Sequence, residues 1–201
     1  MIIKKIYLLI VTILSLSIFF GCNDEKPSEP YTLGAERYYF YGDKKITLYE
    51  IIGMYVVQLD TATNFKASLQ ILKENSKIAY IITLYEDDYI IKAISKLSLS
   101  AMKHQPAVIN AMTAYTANPH DLYSTIYLTG ELILQMKEGY SIDDVLYLFE
   151  NEAVIKKVDK YNKYILQVKN WEKIFDIANA LHLDDKVSFC EPNMTANIKT
   201  F

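Results

Sequence analysis

The chain has 201 residues, of which 21 are basic and 24 acidic, with two cysteines and a net charge of −3. A net negative charge argues against a nucleic-acid partner, because phosphate binding needs a basic surface. One of the cysteines, Cys22, follows a predicted leader and is expected to carry a lipid, which leaves only Cys190, so we expect no intrachain disulfide and a fold held by its hydrophobic core. The length suffices for one ordinary domain or two small ones.

The N-terminus has the layout of a bacterial lipoprotein signal. Two early lysines precede an apolar run from Ile6 to Phe20, and Gly21-Cys22 follows. The run is shorter than the ~20 residues that a membrane span needs. The Gly-Cys pair resembles a lipobox, which implies that residues 1–21 are removed and that Cys22 is lipidated. The alternative is an ordinary signal peptide followed by a stray cysteine.

The next residues indicate where the mature protein is held. Asn23-Asp24-Glu25-Lys26 follows the lipidation site and resembles the surface-export signal of some Gram-negative bacteria. The resemblance implies attachment to the outer membrane through the N-terminal lipid, including palmitate, with the protein exposed at the cell surface. Residues 22–37 are predicted to form a flexible tether, because they contain Pro27 and Pro30 and show no periodicity.

Residues 38–129 show strand and helix patterns in the order βαββαβ, after a short hairpin. Tyr38–Tyr41 and Lys44–Leu48 flank Gly42-Asp43, which is typical of a hairpin turn. The later predicted elements are strand Tyr55–Leu59, helix Phe65–Asn75 capped by Asn64, strands Ile78–Leu84 and Tyr89–Ala93, a helix from Pro106 with Val108, Ala111, Met112 and Tyr115 on one face, and strand Ser124–Leu128.

The same order recurs more clearly between Glu131 and Asn193. The predicted elements are strand Glu131–Lys137, helix Ser141–Phe149, strands Ala153–Val158 and Tyr164–Val168, a helix from Asn170 to Leu183, and strand Val187–Asn193. Ser141 and Asp144 form a capping-box variant, and Asn170 caps the last helix. The predicted buried stripes are Ile142, Val145, Leu146 and Phe149 on the first helix, and Trp171, Ile174, Ala178 and Leu181 on the second.

These patterns predict an α+β protein with two tandem ferredoxin-like (βαββαβ) domains, residues 38–129 and 130–201. Each domain would be an antiparallel sheet with its helices on one face. Tyr55-Val-Val-Gln-Leu59 matches Leu132-Ile-Leu-Gln-Met136 at a spacing of about 77 residues, which indicates a degenerate internal duplication. The alternative is that the first half is a different α+β domain with the same element order.

Residues that could carry chemistry do not form a recognisable catalytic or metal-binding motif. The three histidines, His104, His120 and His182, lack metal-ligand spacing. The acidic pairs Asp87-Asp88, Asp143-Asp144 and Asp184-Asp185 fit a turn, a helix start and a loop. Cys190 lies in a predicted strand and is better explained as a core residue than as a nucleophile. We therefore expect a protein that is not an enzyme and that binds no cofactor or metal.

Tyrosine is frequent, with 17 residues. The simpler explanation is that the rings pack on half-buried strands, where aromatic residues are favoured. The alternative is a stacking platform that binds glycan or peptide through exposed tyrosines.

The stretch from Glu131 to Asn193 carries a family resemblance. The residues concerned are Leu132-Ile-Leu-Gln-Met-Lys-Glu-Gly139, Tyr164-Ile-Leu-Gln-Val168, Ile177-Ala-Asn-Ala-Leu181 and Val187-Ser-Phe-Cys-Glu-Pro-Asn193. In order and spacing they resemble the propeptide (peptidase inhibitor) domains of secreted subtilases, most closely the fervidolysin-type N-terminal prodomain. The Asp, His and Ser motifs of a subtilase are absent from the chain, so the resemblance is to a prodomain without its protease domain.

The resemblance implies that the protein binds a secreted subtilisin-like serine protease, which it inhibits or helps to fold. Such prodomains lay their sheet against the protease and pass their C-terminal tail through its cleft. Here the cleft residues would be Ile198, Lys199, Thr200 and Phe201, unless that end is frayed and without a role. The alternatives are a surface lipoprotein that binds glycan or peptide, and a remnant without a partner.

Overall fold

The computed structural model describes residues 32–62, 64–75, 78–85, 90–120, 124–159 and 161–196. The predicted signal peptide, the predicted lipidation site Cys22 and the tail residues Ile198, Lys199, Thr200 and Phe201 lie outside these ranges. So does the acidic turn Asp87-Asp88. Within the described ranges, no helix is both long and apolar enough to cross a lipid bilayer.

Strands make up most of the described chain. They are β1 (Leu33–Tyr41), β2 (Lys44–Leu59), β3 (Ile78–Tyr85), β4 (Ile90–Ser95), β5 (Val108–Thr116), β6 (Thr125–Met136), β7 (Ala153–Val158), β8 (Lys163–Val168) and β9 (Val187–Ala196). The α-helices are α1 (Phe65–Asn75), α2 (Leu99–Lys103) and α3 (Ile174–His182). Short 3-10 turns span Ile142–Asp144, Leu146–Leu148 and Trp171–Lys173.

The nine strands belong to one sheet with the order β3-β4-β2-β5-β6-β8-β7. β1 pairs with β2 and β9 pairs with β6 outside this path, and all of the pairings are antiparallel. β2 is long enough to pair with β1 along its first half and with β4 along its second, while β5 follows the other edge. β6 likewise pairs with β5 and then β8 on one edge and with β9 on the other.

The predicted fold class, α+β with two tandem ferredoxin-like (βαββαβ) domains, is wrong. The strands of both halves form a single, mostly antiparallel sheet with few helices. The helix predicted after Pro106 is strand β5. The helix predicted for Ser141–Phe149 is a pair of 3-10 turns, although Ser141 N does donate to Asp144 Oδ2 at 2.8 Å. The predicted boundary between residues 129 and 130 falls inside β6.

The two wrong helix predictions, after Pro106 and at Ser141–Phe149, each have a physical origin. All six residues from Ala111 to Thr116 in β5 are buried, because the strand is covered on both faces. A strand buried on both faces reads as a continuous apolar run, and such a run also satisfies helical spacing. In the other segment, Val145 has φ −126°, which interrupts the helix after a single turn.

The order of pairing repeats between the two halves. In the first half the strands adjoin as β3-β4-β2-β5, and in the second as β7-β8-β6-β9. Gly53 in β2 and Gly130 in β6 both have positive φ, at 89° and 77°. Each lies where the strand shifts register against a neighbour, and a positive φ at such an irregularity favours glycine. The repeated sequence pattern therefore has a counterpart in the sheet.

The buried side chains form two clusters. The smaller one lies between α1 and the first-half strands, and Phe65, Leu69 and Leu72 contribute to it as the helical spacing predicted. Asn64 caps α1, since its Oδ1 accepts from Ala67 N at 2.9 Å. The larger cluster contains residues of both halves and the α3 side chains. β2 supplies alternate residues to the two clusters, which places its second half in the middle of the fold.

Candidate functional site

One face of the second-half strands is covered by α3. Asn170 Oδ1 accepts from Glu172 N at 3.1 Å and starts the 3-10 turn that leads into this helix, as predicted. The predicted stripe of Trp171, Ile174, Ala178 and Leu181 is fully buried. It packs in one cluster with alternate residues of β6 and β8, namely Leu132, Leu134, Tyr164 and Leu166.

The opposite face of these strands is less covered. It consists of Ile133 and Gln135 on β6, Lys163 and Ile165 on β8, and Glu191 on β9, which are half-buried or exposed; we call this the outer face. Ile133 lies opposite both Ile165 and Glu191 in the sheet. Partial burial raises the pKa of Glu191, and the nearby charge of Lys163 partly opposes that effect. The outer face thus combines an aliphatic centre with charged side chains around it.

Strand β7 forms one edge of the sheet, because it comes last in the strand order after β8. Three of its aliphatic side chains are exposed: Val154 by 48%, Ile155 by 42% and Val158 by 52%. Lys156 and Lys157 lie between them, and a register shift falls between Ile155 and Lys157. We call these five residues the β7 edge. Lysines and bulges protect edges against unspecific strand pairing, whereas grouped exposed aliphatic residues are typical of a protein-binding surface.

The exposed tyrosines do not form a row across the sheet in the described part of the chain. Tyr38 and Tyr41 lie on β1, Tyr140 lies in a loop, Tyr161 lies in a turn, and Tyr147 lies in a 3-10 turn, where its hydroxyl donates to Asp184 Oδ2 at 3.1 Å. Such positions favour the simpler explanation of the tyrosine content over a continuous stacking platform.

A pocket of about 210 Å³ lies between the first-half and second-half strands. Gln58 and Lys92 reach it from β2 and β4, and Glu131, Gln167 and Asn193 reach it from β6, β8 and β9. This pocket was not predicted from the sequence. The sequence signal for it is a polar residue inside an apolar strand, such as Lys92 in β4. Which of these residues meet depends on the strand order, which the sequence does not show.

Hydrogen bonds fix the polar groups of this pocket. Glu131 Oε1 pairs with Lys156 Nζ at 2.7 Å, and Glu131 Oε2 accepts from Asn193 Nδ2 at 2.8 Å. Gln167 Nε2 donates to the carbonyl oxygen of Gly130 at 3.0 Å. On the opposite wall, Gln58 Oε1 accepts from Asn110 Nδ2 at 2.9 Å. These bonds hold the amide groups in defined orientations before any ligand arrives.

Lys92 is the most deeply buried charged residue of the pocket, at 3% exposure. Its ammonium group lies 4.3 Å from the centre of the Tyr127 ring. A cation over an aromatic face at this distance is attracted by the ring quadrupole, which helps to hold a charge away from bulk water.

The cysteine and two of the histidines considered as candidate catalytic or metal-binding residues make contacts within the fold. Cys190 is fully buried in β9 and burial raises the pKa of its thiol, so the prediction of a core residue is confirmed. His182 stacks on the Phe40 ring with 4.8 Å between centroids, and His104 Nδ1 lies 2.7 Å from Ser100 O. Among the described residues, no group of three histidine, cysteine or acidic side chains could hold a metal ion.

Comparison of the chain with family models, with curated proteins and with solved structures gave no match.

Proposed function

We propose that the chain is a non-catalytic lipoprotein, held on the outer membrane through Cys22, that binds a secreted subtilisin-like serine protease. The β7 edge and the adjoining outer face are the binding surface. The observation that carries the proposal is the exposure of three aliphatic side chains, Val154, Ile155 and Val158, along one edge strand. Binding either inhibits the protease or assists its folding.

The β7 edge offers enough apolar surface to matter in a complex. Fully burying one large aliphatic side chain contributes roughly 1.5–3 kcal/mol. Since Val154, Ile155 and Val158 are 42–52% exposed, a partner that covers them gains about half of that value for each. Because β7 comes last in the order of the described strands, an extended segment of the partner can in addition hydrogen-bond along it.

The resemblance to subtilase propeptides supports the choice of partner. Its motifs fall on β6, β8, α3 and β9, which are the elements that build and support the outer face. The tail from Ile198 to Phe201 follows β9 in the chain and would supply the cleft-binding segment. An inhibitory prodomain combines a docking surface with a substrate-like tail.

The test is a titration of serine proteases from the native secretome with the mature chain. We expect saturable inhibition that weakens about tenfold or more in Ile155→Lys, because the change places a charge in a contact that has to be desolvated. Ile109→Lys is the matched control, since Ile109 is 51% exposed on β5 in the first half. Deletion of Ile198–Phe201 then separates the contribution of the tail to inhibition from the contribution of the sheet.

Three outcomes would overturn the proposal. One is that no secreted serine protease is retained or inhibited by the chain. Another is that Ile155→Lys and Ile109→Lys weaken binding equally, which would point to a general loss of stability. The third is unchanged inhibition in Ile155→Lys, which would remove the β7 edge from the binding surface.

A further inference from the structure

The pocket between the two halves has unused hydrogen-bonding capacity on both walls. Among the described residues, Gln58, Gln167 and Asn193 each use one side of the amide group in the bonds given above. Gln58 Nε2 therefore remains as a donor on one wall, and Gln167 Oε1 and Asn193 Oδ1 remain as acceptors on the other. A ligand that bridges the walls must accept from one side and donate to the other.

The charges that line the pocket are already compensated or shielded. Glu131 pairs with Lys156 at 2.7 Å, and Lys92 lies over the Tyr127 ring. A strongly charged ligand would have to compete with these contacts. A neutral ligand with several hydroxyl groups would not, and each hydroxyl both donates and accepts.

We propose that this pocket binds one ring of a neutral sugar. Its volume of about 210 Å³ is below the ~300–1,000 Å³ that is usual for larger ligands, which fits a single ring. Ile90 supplies apolar surface for the C–H groups of the ring, and the three amides supply bonds for its hydroxyl groups. The pocket shares Lys156 with the β7 edge but none of that edge's exposed aliphatic side chains, and it does not involve the exposed tyrosines.

The test uses the full mature lipoprotein in detergent and saturation-transfer NMR with glucose, galactose, mannose and N-acetylglucosamine. We expect at least one of these sugars to bind. Affinity should fall about tenfold in Gln58→Leu and in Gln167→Leu, because each change removes a fixed partner of a hydroxyl group. Gln135→Leu is the matched control: Gln135 is also a half-buried strand glutamine bonded to a backbone oxygen, Tyr161 O at 2.6 Å, but it lies outside the pocket.

Two results would overturn the proposal. One is that none of the four sugars binds, and the other is that the wild type and the two pocket variants bind equally well. Binding of glucuronate alone overturns the assignment to a neutral sugar and assigns the pocket to anions. Thermal melting identifies a variant that fails to fold, in which case the other pocket variant decides. Gln58→Leu should inhibit the protease as the wild type does, because Gln58 lies in the first half of the chain.

Discussion

Replacing Gly130 by alanine tests how the bend of β6 is coupled to the core. Gly130 has φ +77°, and a Cβ built there would lie 2.1 Å from Cε2 and Nε1 of Trp171. Trp171 is only 1% exposed, so its ring has little room to retreat. The left-handed backbone costs a residue with a Cβ roughly 1–2 kcal/mol, and overpacking costs a further ~1–3 kcal/mol. We expect a total loss of ~2–5 kcal/mol.

Gly139→Ala is the matched control for this prediction. Gly139 has φ +87°, but among the described residues no atom beyond its two chain neighbours lies within 4 Å of the Cβ position. It therefore carries the backbone cost without the clash, and should lose ~1–2 kcal/mol. The difference between the two variants isolates the contact with Trp171.

Urea denaturation measures both variants, followed by circular dichroism and by fluorescence of Trp171, the single tryptophan of the chain. In thermal melts, each kcal/mol should lower Tm by about 2–4 °C for a protein of this size. Equal destabilisation of Gly130→Ala and Gly139→Ala would refute the close packing of Gly130 on Trp171. Gly130 also offers its carbonyl to Gln167, so the clash should disturb the pocket as well.

Three further predictions concern single side chains. Phe149→Ala should cost ~3–5 kcal/mol in urea denaturation because the ring is 2% exposed, whereas Tyr147→Ala, 63% exposed, should stay within about 0.5 kcal/mol of wild type. The thiol of Cys190 should react with a thiol reagent only on unfolding. Because burial raises its pKa, the contribution of the thiol to stability is complete below its unfolded-state pKa of about 8.5 and decreases above it, and Cys190→Ala should make this decrease in stability with pH shallower. The hydrogen bond from Lys103 lowers the pKa of Glu172, so Lys103→Ala should raise that pKa in an NMR titration, and any loss of stability should vanish as acid protonates Glu172.

Local elements were predictable from sequence where a single face is buried. The stripe of α1 and the stripe from Trp171 to Leu181 follow helical spacing, and both begin at an asparagine cap that the structure contains. The hairpin of β1 and β2 follows from Gly42-Asp43 between strand-forming residues. In these segments propensity, capping and burial all favour the same structure.

The assembly of those elements was not predictable in the same way. β2 and β6 each run through a positive-φ glycine, Gly53 or Gly130, where the sequence reading ended one strand and began another. Because each long strand accepts two successive partners on one edge, the halves join in one sheet. The pocket residues meet only through this pairing, which no local pattern encodes.

We propose that the β7 edge binds a subtilisin-like protease, and this binding can be measured directly. Biolayer interferometry between the mature chain and an active-site-blocked subtilisin-like protease from the same secretome tests it most directly. We expect a saturable complex that Ile155→Lys weakens about tenfold or more and that Ile109→Lys leaves intact. No complex with the wild-type chain, or a complex indifferent to Ile155→Lys, would contradict it.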